Sequence, residues 1–95
     1  GGASPHPVMS YRVILSSSAR RALTDDLPEA VAIACFEFIQ GPLADNPYRV
    51  GKPLGGRLEG RHSARRGEFR IVYRIIDARV LVEVIAIQHR RDVYR

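Results

Sequence analysis

The 95-residue chain is the size of one domain, and its 45% hydrophobic and 26% charged residues match an ordinary globular protein rather than a disordered tail. The single cysteine, Cys35, rules out an internal disulfide framework and points to a reducing compartment, so the expected location is the cytoplasm. The apolar runs are far shorter than the ~20 residues that span a bilayer, so no membrane anchor is expected.

The net charge of +5 is unevenly placed. Three Arg face five acids from Met9 to Tyr48, a balance of −2, whereas twelve basic residues face five acids from Arg49 to Arg95, a balance of +7. Lys52 is the only lysine; every other cation is Arg. The planar guanidinium matches phosphate geometry, so the basic half points to a polyanionic partner, most simply nucleic acid. A solubilising surface is the plainer alternative.

Residues 1–8 (GGASPHPV) carry no charged side chain and no periodic pattern. They read as a remnant of cloning, which leaves 9–95 as a single domain. Tyr11 to Leu15 is short and rich in β-formers, a strand. Ser16, Ser17 and Ser18 offer caps for a helix over Ala19–Leu27, and Pro28 suits the first position of a second helix running to about Gln40. That second helix is apolar almost all round, so it is expected to pack on a sheet and also on the first helix or on a second protein. Gly41-Pro42 reads as its stop.

Gly41 to Gly56 holds four Gly and three Pro and reads as a long loop carrying Arg49 and Lys52. Leu58–Arg66 reads as a strand with a basic face. Phe69 to Ile76 alternates with a period of two, Asp77–Arg79 is a turn, and Val80–Gln88 is apolar on both sides and hence central. The expected fold is α+β: a small antiparallel sheet in the order β-α-α-β-β-β with two N-terminal helices on one face.

No phosphate-binding glycine loop is present, since Gly51-Lys52 is not followed by Ser or Thr. Cys35, His62 and His89 lack metal-ligand spacing, and no paired carboxylates stand out, so neither a metal nor another cofactor is expected. What remains is cationic. Arg61, Ser63 and Arg65 share one face of a regular strand, with His62 on the other. Arg70 follows on the next strand, and His89, Arg90, Arg91, Tyr94 and Arg95 close the chain. Such a group suits RNA cleavage without a metal, because RNA supplies its own 2′-OH nucleophile and Arg can stabilise the phosphorane. Arg cannot take the 2′ proton, whereas the imidazole of His89 could serve as acid or base and Tyr94 can donate a proton, orient the phosphate or stack on a base. Binding of nucleic acid without chemistry fits the same residues.

The run Gly51-Lys52-Pro53-Leu54, then Leu58-Glu59-Gly60, then Ser63 to Tyr73 (SARRGEFRIVY), then Val84 to Arg95 (VIAIQHRRDVYR) resembles the RelE-type toxins of the bacterial RelE/ParE toxin–antitoxin superfamily. With the leading strand, the two helices and the Leu27-Pro28 junction, the resemblance covers residues 9–95. It implies a RelE-like fold and a metal-independent mRNA endonuclease. Such an enzyme enters the ribosome, cuts the A-site codon by 2′-OH attack and is neutralised by a cognate antitoxin. The family's catalytic cations fall on Arg61, Arg70 and Arg90, its terminal tyrosine on Tyr94, and the histidine of some relatives on His89. Arg49, Lys52, Arg57, Arg65 and Arg66 are the expected RNA-binding residues. A family lysine proposed as general base falls near Ser63, which cannot replace it, so a catalytically weak ribosome-binding module stays open. ParE-like relatives, which poison DNA gyrase, are the other alternative.

Overall fold

The computed structural model describes residues 10–89. Residues 1–8, read as a cloning remnant, lie outside the described residues, as do Arg90, Arg91, Tyr94 and Arg95. Strand β1 (Arg12–Leu15) ends at Ser16, whose Oγ accepts from the Ala19 N–H at 3.0 Å and caps helix α1 (Ser17–Arg21). The helix widens into a π-type turn over Ala22–Asp26 and stops at Leu27, which is extended as the residue before a proline favours. Helix α2 (Glu29–Phe38) follows, with Pro28 as its N-cap rather than its first residue.

Gly41-Pro42 does not stop this helix. The chain continues in a π-type turn over Ile39–Leu43. Pro42 has no N–H to close an α-turn, and the wider turn accommodates its ring while carrying Ile39 and Leu43 into the core. The expected loop of 41–56 also contains a helical turn, α3 (Pro47–Val50), and a two-residue strand, β2 (Lys52–Pro53).

Strand β3 spans His62–Arg66 rather than Leu58–Arg66. Gly56 and Gly60 take φ of 61° and 94°, turning the chain around a 3₁₀ turn at Gly56–Leu58. Strand β4 (Phe69–Ile76) is continuous, and a 3₁₀ turn at Asp77–Arg79 leads into β5 (Leu81–His89).

The sheet order is β1-β5-β4-β3-β2. Strands β3 to β5 form the expected antiparallel meander, β2 adds an unexpected fourth antiparallel strand at its edge, and β5 lies between two neighbours. The α+β class holds, but the sheet is mixed rather than antiparallel throughout, because β1 pairs in parallel with β5. Two helices separate β1 from the meander, long enough for the crossover that parallel pairing requires.

The core lies on one face of the sheet. Ala19, Ala22, Cys35, Phe38, Ile39 and Leu43 pack against Ala64, Ile71, Tyr73, Val82, Val84 and Ile87. Burial pushes the Cys35 thiol up from its ordinary value, with Arg66 acting weakly against it, so Cys35 is a core residue. On its other side α2 leaves Ile33 and Phe36 exposed, 51% and 42%.

One irregularity matters for the site. Tyr73 pairs with Val84 but Val72 pairs with Ala86, so Ile85 is an extra residue in β5. Ser16 holds this bulge: its N–H donates to the Val84 carbonyl at 2.9 Å and its hydroxyl to the Ile85 carbonyl at 2.6 Å.

Candidate functional site

In β3 and β4 successive residue pairs look to opposite faces. Ala64 and Ile71 are paired and turn into the core. The next pair, Arg65 and Arg70, turns away from the helices. Directly opposed residues have Cβ atoms about 4.5–5.5 Å apart, and like charges there are destabilising. These two guanidinium groups form one wall of a groove of about 640 Å³, with Ser63, Arg49, Lys52, Pro53 and Leu54 around it. Among the described residues no carboxylate lies within ion-pair distance of Arg49, Lys52, Arg65 or Arg70; the ion pairs formed are Arg74–Glu83 and His89–Glu68.

The segment carrying Arg49 and Lys52 is held against β3 from below. The buried Tyr73 hydroxyl donates to the Pro47 carbonyl at 2.6 Å. Burial pushes this phenol up to about 12, so it stays a donor at physiological pH. Asn46 caps α3, accepting from the Arg49 N–H at 3.3 Å. Gly51 then passes so close to β3 that a Cβ there would lie 2.3 Å from the Tyr73 hydroxyl and 2.7 Å from the Ser63 carbonyl. His62 stacks on Tyr73 at 5.5 Å and meets the Tyr48 ring edge-on at 5.8 Å, on the core face as the strand alternation requires. Its buried Nδ1 has no hydrogen-bond partner among the described residues.

The groove therefore gathers Arg49, Lys52, Arg65 and Arg70. Arg61 precedes β3 at the rim, its carbonyl accepting from the Leu54 N–H at 2.8 Å. Arg57 is exposed in the 3₁₀ turn and does not line the groove. Arg66 lies on the core face, 5.6 Å from the centre of the Phe38 ring. His89 is also on that face: it pairs with Phe69, meets its ring edge-on at 4.9 Å and sits 3.4 Å from Glu68. The residue of β5 opposite Arg70 is Gln88. The expected grouping of His89 with Arg70 thus does not form, because the extra residue at Ile85 reverses the facing of everything after it. Arg90 and Tyr94 lie outside the described residues.

A further cluster was not expected. The Asp77 carboxylate accepts from the Tyr11 hydroxyl at 2.8 Å through one oxygen and from the Tyr48 hydroxyl through the other. The hydrogen bonds from Tyr48 and Tyr11 hold Asp77 below its ordinary value, while the bond to Asp77 is the main reason the Tyr48 phenol rises to about 12. Nothing in the residue pattern joins three positions so far apart in the chain.

Chemically, the groove offers fixed positive charge without a base. Its four cations suit a phosphodiester backbone; Ser63 adds a hydroxyl. Among the described residues no three His, Cys, Asp or Glu side chains gather as a metal site, and no helix is long and apolar enough to cross a membrane.

The family profile for the ParE toxin of type II toxin–antitoxin systems matches residues 13–94. Toxin RelE of Mycobacterium tuberculosis is 51% identical over 90 residues, covering 95% of this chain and 89% of that protein. The chain belongs to the RelE/ParE toxin family. Toxin RelG of the same organism is 45% identical over 87 residues, covering 92% of this chain and 99% of the relative. The toxin fold superposes on the RelBE2 toxin–antitoxin complex of M. tuberculosis with a TM-score of 0.83 at 42% identity, covering 88% of this chain and 95% of that one. These matches place the present chain among the RelE-type toxins.

Proposed function

We propose that this toxin is a ribosome-dependent mRNA endonuclease that cuts A-site codons without a metal ion and stops translation in the cytoplasm. The observation carrying this reading is the Arg65–Arg70 cross-strand pair, two like charges side by side with no carboxylate among the described residues to relieve them. A site that keeps such a pair at a cost in stability is built for an anion.

In the reaction the RNA 2′ oxygen attacks the adjacent phosphorus. The P–O2′ bond forms, the P–O5′ bond breaks, and the products are a 2′,3′-cyclic phosphate and a 5′-hydroxyl end. One proton passes from the 2′-OH to solvent water and one joins the 5′ oxygen. Arg70 and Arg65 stabilise the negative charge building on the phosphorane oxygens. Arg49 and Lys52 hold the neighbouring backbone, with Arg61 at the rim. Arg90 and Tyr94 belong to the same site in this reading, Tyr94 donating to the leaving oxygen. His89, packed on Phe69, takes no part.

A cognate antitoxin is the protein partner, covering the cationic groove and the apolar surface around Ile33 and Phe36. Mapping transcript 5′ ends after induction, with and without ongoing translation, tests the enzyme. Cuts within codons that vanish when initiation is blocked support it; intact transcripts under growth arrest refute it. The family profile's ParE description carries the second reading, gyrase poisoning. Arrest with filamentation and DNA damage, and no cut transcripts, marks that outcome.

A further inference from the structure

We propose that Asp77 is a positioning residue: by holding the Tyr48 hydroxyl it sets where the next residue, Arg49, meets the substrate backbone. This rests on the nuclease reading above and adds a residue that does not touch RNA.

The argument starts from the shortness of α3. It has four residues, Pro47–Val50, and a single helical turn does not keep its shape unaided in water. Its first residue is anchored through the Tyr73 hydroxyl on the Pro47 carbonyl. Its last is followed by Gly51, wedged against β3. Between these two points the side-chain ties to other elements among the described residues are the packing of the half-buried Val50 on the core and, from Tyr48, the ring edge against His62 and the bond to Asp77. Tyr48 is 52% exposed, so core packing does not choose its position.

Asp77 suits this task. It sits at the β4–β5 turn, and its other oxygen is engaged by Tyr11, which lies just before β1. The carboxylate is therefore held by the sheet before Tyr48 reaches it. Tyr48 points to this turn, while Arg49, one residue on, lines the groove. Releasing Tyr48 lets the turn rotate between its two anchors, which shifts Arg49 more than any other groove cation. The three polar groups are on the surface, where such bonds contribute little to fold stability; the consequence is geometric.

The test is steady-state cleavage of a defined mRNA on purified ribosomes, with thermal melts of each variant. Asp77→Ala and Tyr48→Phe, the latter removing only a hydroxyl, are expected to raise KM about fivefold while kcat changes less than about twofold. In an Arg49→Ala background, Asp77→Ala is expected to add nothing, because the residue it positions is gone. Tyr11→Phe, which breaks the other bond to the same carboxylate, is expected to raise KM less than Tyr48→Phe does. Wild-type KM in both Asp77→Ala and Tyr48→Phe, or an equal penalty from Asp77→Ala with and without Arg49, overturns the proposal. Absence of cleavage by the wild-type toxin overturns the nuclease reading instead, and full cleavage by Arg70→Ala overturns the groove as its site, so these failures are distinguishable from that of the Asp77 proposal.

Discussion

The two faces of strands β3 to β5 are built from the same backbone and do opposite work. On one, Ala64, Ile71, Tyr73, Val84 and Ile87 are buried under the helices. On the other, one residue along, Ser63, Arg65, Arg70 and Gln88 stand away from them. The core face lowers the free energy of the fold; the groove face raises it by holding like charges together. Stability and function are thus divided by strand parity, and substitutions one residue apart should fail in different ways.

The largest expected contrast is between neighbours on β4. Ile71→Ala, emptying a fully buried position, should cost about 2–5 kcal/mol in chemical denaturation. Arg70→Ala should leave the melting temperature unchanged or slightly higher, since Arg65 loses a like-charged neighbour, while cleavage of ribosome-bound mRNA falls about 100-fold or more. An Arg70→Ala protein that melts early and cuts normally would reverse the assignment of the faces.

Tyr73 joins the two regions, since its ring is core and its hydroxyl holds the groove arm. Its phenol is raised from 10.0 to about 12 by burial. The folded state keeps the proton that the unfolded chain releases, so this stability is fully present below pH 10 and is lost as pH rises from 10 towards about 12. Tyr48 shifts in the same direction, with Asp77 as the main cause. Thermal melts across this range should fall less steeply for Tyr73→Phe than for wild type. At neutral pH that variant should lose about 1–3 kcal/mol, because the Pro47 carbonyl loses its donor.

The smallest effect belongs outside both faces. Val80 ends the β4–β5 turn at φ 52°, where a β-branched residue is strained. Val80→Gly should add about 1 kcal/mol of stability in denaturant melts and leave cleavage unchanged.

Much of this division was legible in the residues. The period-two alternation of Phe69–Ile76 defined β4 and placed Arg70 opposite the core, and the alternation of Arg61, Ser63 and Arg65 put His62 on the far side. What failed did so for local reasons. Pro42 looks like a stop, but a widened turn absorbs it when the flanking residues are wanted in the core. Gly60, at φ 94°, turns the chain where the residue types from Leu58 onward suit an unbroken strand. His89 was misplaced because β5 is apolar at both parities, so no pattern marks where one residue is skipped. The Asp77 cluster depends on tertiary contacts 66 and 29 residues apart in the chain, beyond any window of periodicity.

The bulge at Ile85 behaves as an inversion point: the chain beyond it is offered to solvent or to the helices according to a single residue count. Drawing Ile85 into the regular ladder would turn His89 to the face of Arg65 and Arg70 without replacing either arginine, whereas excising Ile85 would leave Gln88 opposite Arg70. Ser16, whose hydroxyl and amide both grip that kink, keeps the count as it is. The facing of the end of β5 is thus set by whether one residue bulges or pairs, so an imidazole can change sides with every groove cation left in place.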